Sequence, residues 1–333
     1  MKSTIHDIAR MAGVSTTTVS KVINNKGRIS KSTRERVNQI IEDLNYRPNV
    51  LASAMKGKSS YQIAFLIPDI DNPIYAKYLK HIEERGQELG YNVVMCSTDN
   101  DSVKEARHIS LLKQRRVDGF IIASKFKNEE LLKELIEEDF PVVLFAHERL
   151  AHSVDSVTAD DYMGGYMTAK YLHSLGHRKI GVIGEDSVSS NERIRGYKFA
   201  LSEAGIPVDD RLIVVGGAAM EDAESGAALL LDRKDRPSAI FGVNDILAIG
   251  AMRAAKARKL RIPEQLSVIG FDDTQLCLIV SPTLSSVTMP VRELGKHVMD
   301  IIIGKIENGE SVKQRIRMLP ELVVRETTGP VQP

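Results

Sequence analysis

Between residues 62 and 271 the chain alternates, twice over, between short apolar runs and longer stretches of helical period. In the first series, 62–67, 92–96, 119–123 and 141–145 read as strands, separated by helical stretches near 73–89, 104–116 and 129–138. In the second, strands at 179–183, 213–215, 239–243 and 267–271 alternate with helices near 161–175, 191–204, 221–232 and 245–258. Strands joined through helices run parallel, because a parallel pair needs a long crossover connection. Apolar runs that do not alternate imply burial on both faces. The pattern predicts an α/β body of two doubly wound parallel-sheet halves, joined near residue 160. A helical stretch at 291–305 and a last strand at 319–324 return the chain to both halves, so the expected division is 61–158 with 290–318, and 159–289 with 319–333.

Residues 1–60 follow a different logic. They carry eleven Lys and Arg against four acids, whereas the rest of the chain holds 34 against 40, an asymmetry that the formal net charge of +1 conceals. A basic head on a mildly acidic body points to an anionic partner at the head, nucleic acid first. The head reads as three short helices. Thr4 caps the first, with Asp7 at the capping-box position and Ile5, Ile8, Ala9 and Ala12 on its buried face. Gly13 supplies the turn, since glycine takes positive φ without steric cost. Ser15 caps the second helix, from 16 to about 23, which buries Val14, Val19, Val22 and Ile23, and Asn24, Asn25 and Gly27 end it. The third starts at Ser30 or Lys31, buries Val37, Ile40, Ile41 and Leu44, and has Pro48 as its far boundary. Two helices joined by a tight turn, followed by a third, form a helix-turn-helix domain at 1–47. Thr16, Thr17, Ser20 and Lys21 lie on the open side of the second helix, where short hydroxyls and a lysine can reach base edges and phosphates. Residues 48–60 form a short Ala-containing hinge, too short to be a stable helix alone, with Met55 and Leu51 placed to wedge into a minor groove.

Several function classes are excluded by what the 333 residues lack. The sequence has no GxxxxGK[ST], GxSxG, HExxH or GxGxxG after its first strand, and Gly181-Val-Ile-Gly184 is only half a dinucleotide motif. Its eight histidines show no metal spacing, and Cys96 and Cys277 are far apart with no CxxC. The paired acids Asp160-Asp161 and Asp272-Asp273 do not face one another, and Asp161 reads as a helix N-terminal charge. The expectation is a non-enzyme without cofactor or metal. No run approaches the roughly 18 apolar residues of a membrane span, and the polar start is no secretory signal, so the expected place is the cytoplasm, with no membrane partner.

The run Ile5-His-Asp-Ile-Ala-Arg-Met-Ala-Gly-Val-Ser-Thr-Thr-Thr-Val-Ser-Lys-Val-Ile-Asn24, with Tyr46-Arg-Pro-Asn49 after it, closely resembles the DNA-binding head of the LacI/GalR family of bacterial transcription regulators. Asn72-Pro-Ile-Tyr75, Leu175-Gly-His-Arg-Lys-Ile180, Arg193-Ile-Arg-Gly-Tyr197, Asn244-Asp245, Ile269-Gly-Phe-Asp-Asp273, Pro282-Thr-Leu284 and Leu319-Pro-Glu-Leu-Val-Val-Arg325 extend the resemblance over almost the whole chain, in the family order. The resemblance implies a repressor that binds a near-palindromic operator as a homodimer, with a body like periplasmic sugar-binding proteins and an effector between its halves. It places base contacts on Thr16, Thr17 and Lys21, next to Ser15. Phosphate contacts fall on Ser20, Asn24, Thr33 and Tyr46, and minor-groove hinge contacts on Ala52 and Met55. Lys21 stands where the family commonly has Arg, a point charge in place of a bidentate fork. Met55 stands where Leu is common.

Effector-binding positions fall on Asp71, Ile74, Arg193, Asn244 and Asp272. Arg193 and Asp272 are expected at a strand end or helix start of the second half, sharing one pocket. Ile74 replaces an aromatic ring and Ala146 an acid common in the family, with His147, Glu148 and Arg149 nearby. A sugar is therefore expected in the form of a sugar acid or sugar phosphate, paired bidentately by Arg193. The chain has no heptad-rich stretch after Arg325, so a dimer is expected over a tetramer. A second class of reading is a sensor that acts through a phosphorylated carrier protein as co-regulator.

Overall fold

The computed structural model describes residues 4–23, 27–44, 59–123, 126–146 and 153–332. Asn24, Tyr46, Ala52, Met55, Pro48 and the group His147, Glu148 and Arg149 lie outside the described residues. The chain divides into two compact units, Met1–Ser60 and Tyr61–Pro333.

The first unit contains α1 (Ile5–Ala12), α2 (Thr16–Ile23) and α3 (Lys31–Asp43). Each start is built by a hydroxyl that accepts a first-turn N–H: Thr4 from Asp7 at 3.4 Å, Ser15 from Thr18 at 3.1 Å and Ser30 from Thr33 at 3.3 Å. The Thr4 backbone N–H donates back to the Asp7 carboxylate at 3.0 Å, completing the capping box. Gly13 stands at φ 61°, the left-handed conformation needed to turn α1 toward α2. The three helices close on Ile8, Ala9, Ala12, Val19, Val22 and Val37, with Ile40, Ile41 and Leu44 packed around them. Each fully buried Ile or Val contributes roughly 1.5–3 kcal/mol, so a core of this size holds a head of limited stability.

The second unit runs β1 (Gln62–Ile67), α4 (Pro73–Glu88), β2 (Asn92–Ser97), α5 (Ser102–Gln114), β3 (Gly119–Ile122), α6 (Glu129–Glu137), β4 (Val142–Phe145) and β5 (Asp155–Ala159). It continues through α7 (Asp161–Ser174), β6 (Ile180–Glu185), α8 (Val188–Glu203), β7 (Ile213–Gly216), α9 (Met220–Leu231), β8 (Ala239–Gly242), α10 (Asp245–Ala257), β9 (Ser267–Phe271), the short α11 (Leu276–Ile279) and β10 (Ser285–Thr288). It ends with α12 (Val291–Asn308), β11 (Arg315–Met318) and β12 (Glu321–Val323). One sheet has the order β11-β5-β4-β3-β1-β2 and is parallel throughout; the other, β12-β10-β9-β8-β6-β7, is parallel except for β12. The period-2 geometry of β1 divides its side chains between two cores. Ala64 and Leu66 pack with Ile109, Leu112 and Leu132 of α5 and α6, whereas Ile63, Phe65 and Ile67 pack with Ile82 and Ile302 of α4 and α12. The chain passes between the sheets three times, after Ala159, after Thr288 and after Met318.

Three strands depart from the sequence expectation. β5, Asp-Ser-Val-Thr-Ala, carries too many polar residues to read as a core strand, yet all five positions are buried. Its acid is satisfied internally, the Asp155 carboxylate accepting from Lys305 Nζ and from the Gln314 backbone N–H, both at 2.7 Å. β10 is likewise serine-rich, and Ser286 donates to Asp245 at 2.6 Å. The strand expected at 319–324 is β12, and β11 just before it, in the other sheet, has no counterpart in the sequence expectation. Pro320, which has no N–H to give a ladder, separates β11 from β12.

Candidate nucleic-acid interface and effector cleft

In the first unit, α2 turns Val19 and Val22 inward and presents Thr17 and Lys21 to solvent, with Thr16 and Ser20 half-buried on the flanks. The side chains of Thr16, Thr17 and Lys21 make no hydrogen bond among the described residues, so their polar ends are open to a ligand. The stem of Lys21 runs along Gly27, where an added Cβ would meet Lys21 Cδ at 3.4 Å. Ser15 is exposed, but its hydroxyl is committed to capping α2. Thr33 lies in the first turn of α3 and accepts from the Ser30 hydroxyl at 2.8 Å. Arg10 is tied to Asp7 at 2.9 Å, while Arg28 and Arg36 are exposed on the same small unit.

In the second unit, the carboxyl ends of both sheets face a cavity of about 290 Å³. Four helices begin there, capped by Asn72, Asp160, Ser187 and Asn244. Arg193 reaches into this space from α8. Its Nε donates to Asp161 at 2.8 Å and its Nη1 to the Val243 carbonyl at 2.6 Å. Nη1 also lies 3.3 Å from Asp272 Oδ1, and the guanidinium stacks 3.5 Å from the centre of the Phe271 ring. Burial opposes the Arg193 charge, but Asp161 and Asp272 together more than offset it, so its proton is held above the usual arginine range. Burial pushes the Asp272 carboxyl well up, against the pull of Arg193. The approach of α8 to α7 is permitted by two glycines. A Cβ on Gly165 would lie 1.8 Å from the Arg193 carbonyl oxygen, and one on Gly196 1.9 Å from that of Tyr162.

The loop that carries Asp272 is strained and heavily braced. Asp272 and Asp273 both take positive φ, 101° and 48°, which costs a non-glycine residue about 1–3 kcal/mol. The buried Asp245 carboxylate accepts from the Thr274 N–H and hydroxyl at 2.7 and 2.8 Å, and Arg325 donates to Asp273 at 2.6 Å. Lys77 of α4 donates across to the Asp273 and Asp272 carbonyls at 2.7 and 3.3 Å, and Ser189 of α8 to the Ala146 carbonyl at 3.2 Å. These two contacts link the halves of the body at the edge of the cavity.

Residues 4–49 match the family model for bacterial regulatory proteins of the lacI family, and residues 60–324 match that for periplasmic binding proteins and the sugar binding domain of the LacI family. The chain is 43% identical to the HTH-type transcriptional regulator DegA of Bacillus subtilis (strain 168), over 99% of each chain. It belongs to the LacI family. The lac repressor dimer bound to operator and the anti-inducer ONPF superposes with a TM-score of 0.87 at 27% identity, over 99% of this chain and 100% of that one. The complex of the transcriptional regulator CelR with cellobiose gives 0.76 at 27% identity, over 98% and 99%. As a LacI-family protein the chain is a DNA-binding transcription regulator with a sugar-binding type of body. No helix among the described residues is long and apolar enough to cross a membrane.

Within this LacI-family frame the cavity gathers Ile74, Arg193, Asn244 and Asp272 as expected, but not Asp71. Asp71 is exposed, and its N–H donates to Asp69, which is the acid that faces the cavity. Arg193 is not at a strand end or helix start but at the sixth position of α8, reaching back along the helix. The replacement of a ring by Ile74 does not leave the wall without aromatics, because Tyr75 and Tyr78 from the same turn line it. The sequence expectation of a sugar acid or sugar phosphate paired by Arg193 meets a guanidinium that already has protein partners. Nε donates to Asp161 and Nη1 to the Val243 carbonyl, with Asp272 3.3 Å from Nη1, so a ligand anion would share the guanidinium with these partners. Asp161, read from sequence only as a helix-start charge, is the main partner of Arg193. Glu185, Lys77 and Asp245 were missed: their roles depend on which loops converge, and only the pair Asn244-Asp245 marked any of them in the sequence.

Proposed function

We propose that the protein is a repressor that binds a near-palindromic operator as a homodimer in the cytoplasm and changes its operator affinity when a small hydroxylated molecule fills the cleft. The observation that carries this reading is the Thr16, Thr17 and Lys21 face of α2. Thr17 and Lys21 are exposed and Thr16 half-buried, none of the three side chains has a hydrogen bond within the described residues, and the face sits on a unit of strongly basic balance. Each head would set α2 in the major groove of one half-site, with Thr16, Thr17 and Lys21 on base edges and Ser20, Thr33, Asn24 and Tyr46 on phosphates. Ser15 would contribute chiefly by capping α2. Ala52 and Met55 would enter the minor groove at the centre of the site. The lac repressor dimer on its operator and the CelR–cellobiose complex support the dimeric, DNA-bound and sugar-responsive parts of this reading.

In the cleft, Asn244 and Asp272 would accept from or donate to ligand hydroxyls, with Arg193 orienting Asp272 and Ile74 forming the apolar floor. A ligand that grips both halves must bind one arrangement of them better than the other, and that difference is what reaches the heads. Operator binding followed by fluorescence anisotropy, with the full chain and with residues 61–333 alone, tests the reading. Binding should disappear with the head removed, and equal binding by the fragment would overturn it.

A further inference from the structure

Two carboxylates of the cleft lack a counter-ion among the described residues, and they come from opposite halves of the body. Asp69 follows β1 in the first sheet, and Glu185 is the last residue of β6 in the second; both are half-buried on the wall of one cavity. The only cation on the described part of that wall is Arg193, and its charge is already matched by Asp161 and Asp272. The four helix N-termini each carry about half a positive charge, and one first-turn N–H of each is engaged by its own capping side chain. The described part of the wall carries five carboxyl groups, Asp69, Asp161, Glu185, Asp186 and Asp272, against the one guanidinium of Arg193. Asn72, Asn100 and Asn244 add amides suited to hydroxyls, and Tyr75 adds a ring face.

We propose that the cleft takes a hydroxylated small molecule bearing an ammonium group, in class an amino sugar, with the ammonium held between Asp69 and Glu185. This rests on the reading of the cleft as the effector site. Without a cation the two acids repel across the opening, and an ammonium between them turns that repulsion into attraction from both sides. The ligand thereby interacts more strongly with the closed arrangement than with the open one, which is the condition for shifting an equilibrium between them. Tyr75 can lie over the cation, since an aromatic face attracts ammonium groups. Burial, with Asp69 adding to it and Arg193 and Ser187 opposing it, holds the Glu185 carboxyl above its usual range.

The test uses the full chain and matched sets of probes. D-glucosamine, D-glucose and D-gluconate form one set, and the corresponding galactose and mannose derivatives form two more, each followed by thermal shift and calorimetric titration. The amine of at least one set should bind ten-fold or more tightly than its parent sugar, and the acid of that set should not bind. A parent sugar or acid that binds as tightly as the amine in every responding set overturns the ammonium proposal and leaves the sugar-type effector site standing. If no member of any set binds, both fall. For the responding amine, Glu185→Gln and Asp69→Asn should each shrink the preference over the parent sugar by ten-fold or more. Equal weakening of amine and parent would mean that these carboxylates only shape the wall, and would also overturn the proposal.

Discussion

The head and the cleft use polar residues in opposite ways. On α2, Thr17 and Lys21 stand in solvent, their side chains free of any hydrogen bond among the described residues, above a core made by Val19 and Val22. In the cleft, Arg193, Asp161 and Asp272 are buried and in contact with one another, with Arg193 donating to Asp161 and to the Val243 carbonyl. The first arrangement separates recognition from folding. The second merges them, so the groups that would meet a ligand also hold α7, α8 and the loop after β9 together.

That contrast is sharpest at Arg193. Arg193→Met keeps much of the side-chain volume but leaves Asp161 and Asp272 buried without their cation, and breaking a buried pair in this way costs about 3–5 kcal/mol. Urea unfolding should show a loss of that size, together with loss of any effector response. An unchanged midpoint would mean that Arg193 is as dispensable to the fold as the α2 side chains are.

Lys21→Ala is the opposite case. Stability should stay within about 0.5 kcal/mol, as for exposed residues away from caps and cores. Operator discrimination should fall by about 1–3 kcal/mol at one base pair per half-site, read by competition with operator variants. Thr33→Ala should instead weaken all sequences alike, because the role proposed for its hydroxyl at the start of α3 is a phosphate contact. A uniform loss for Lys21→Ala would move that residue into the phosphate class.

What could be read from the sequence follows the same division. The caps Thr4, Ser15 and Ser30, the Gly13 turn and the apolar face of α2 are local signals, and all are found in the first unit. Most strands of the body were legible because their apolar runs are continuous. β5 and β10 were not, because Asp155, Ser285 and Ser286 are satisfied by partners distant in the chain, such as Lys305 and Asp245. The cleft shows the same limit. Arg193, Asn244 and Asp272 were legible through resemblance, but the partners of Arg193, Asp161 and the Val243 carbonyl, were not. Asp71 was chosen two positions from Asp69, a distinction set by the turn in which the Asp71 N–H bonds the Asp69 carboxylate.

The smallest expected effect concerns His177, a buried ring far from both sites in role. Its Nε2 lies 3.1 Å from the Gly329 carbonyl and is therefore the donor, while Nδ1 accepts from the Ser238 hydroxyl at 2.8 Å. Burial holds its pKa below the usual range, although the Gly329 carbonyl pulls the other way. The folded state thus keeps a neutral ring that the unfolded chain protonates below its ordinary pKa of about 6.5. The stabilisation is complete above that value and is lost as the pH falls further. Between about pH 7.5 and 5.5 the melting temperature should fall more for the native chain than for His177→Gln, and equal slopes would remove the ring from the pH response.

Selection of binding sites from a random duplex library by the full chain, followed by a salt titration on the winning sequence, tests the separation of head and body most directly. The account predicts one enriched near-palindromic sequence, with affinity falling linearly in log–log form at about 0.9 ion per phosphate contact. It also predicts that Lys21→Ala changes the enriched sequence and that residues 61–333 enrich none. Enrichment of the same site by the 61–333 fragment, or no enriched site from the full chain, would contradict it.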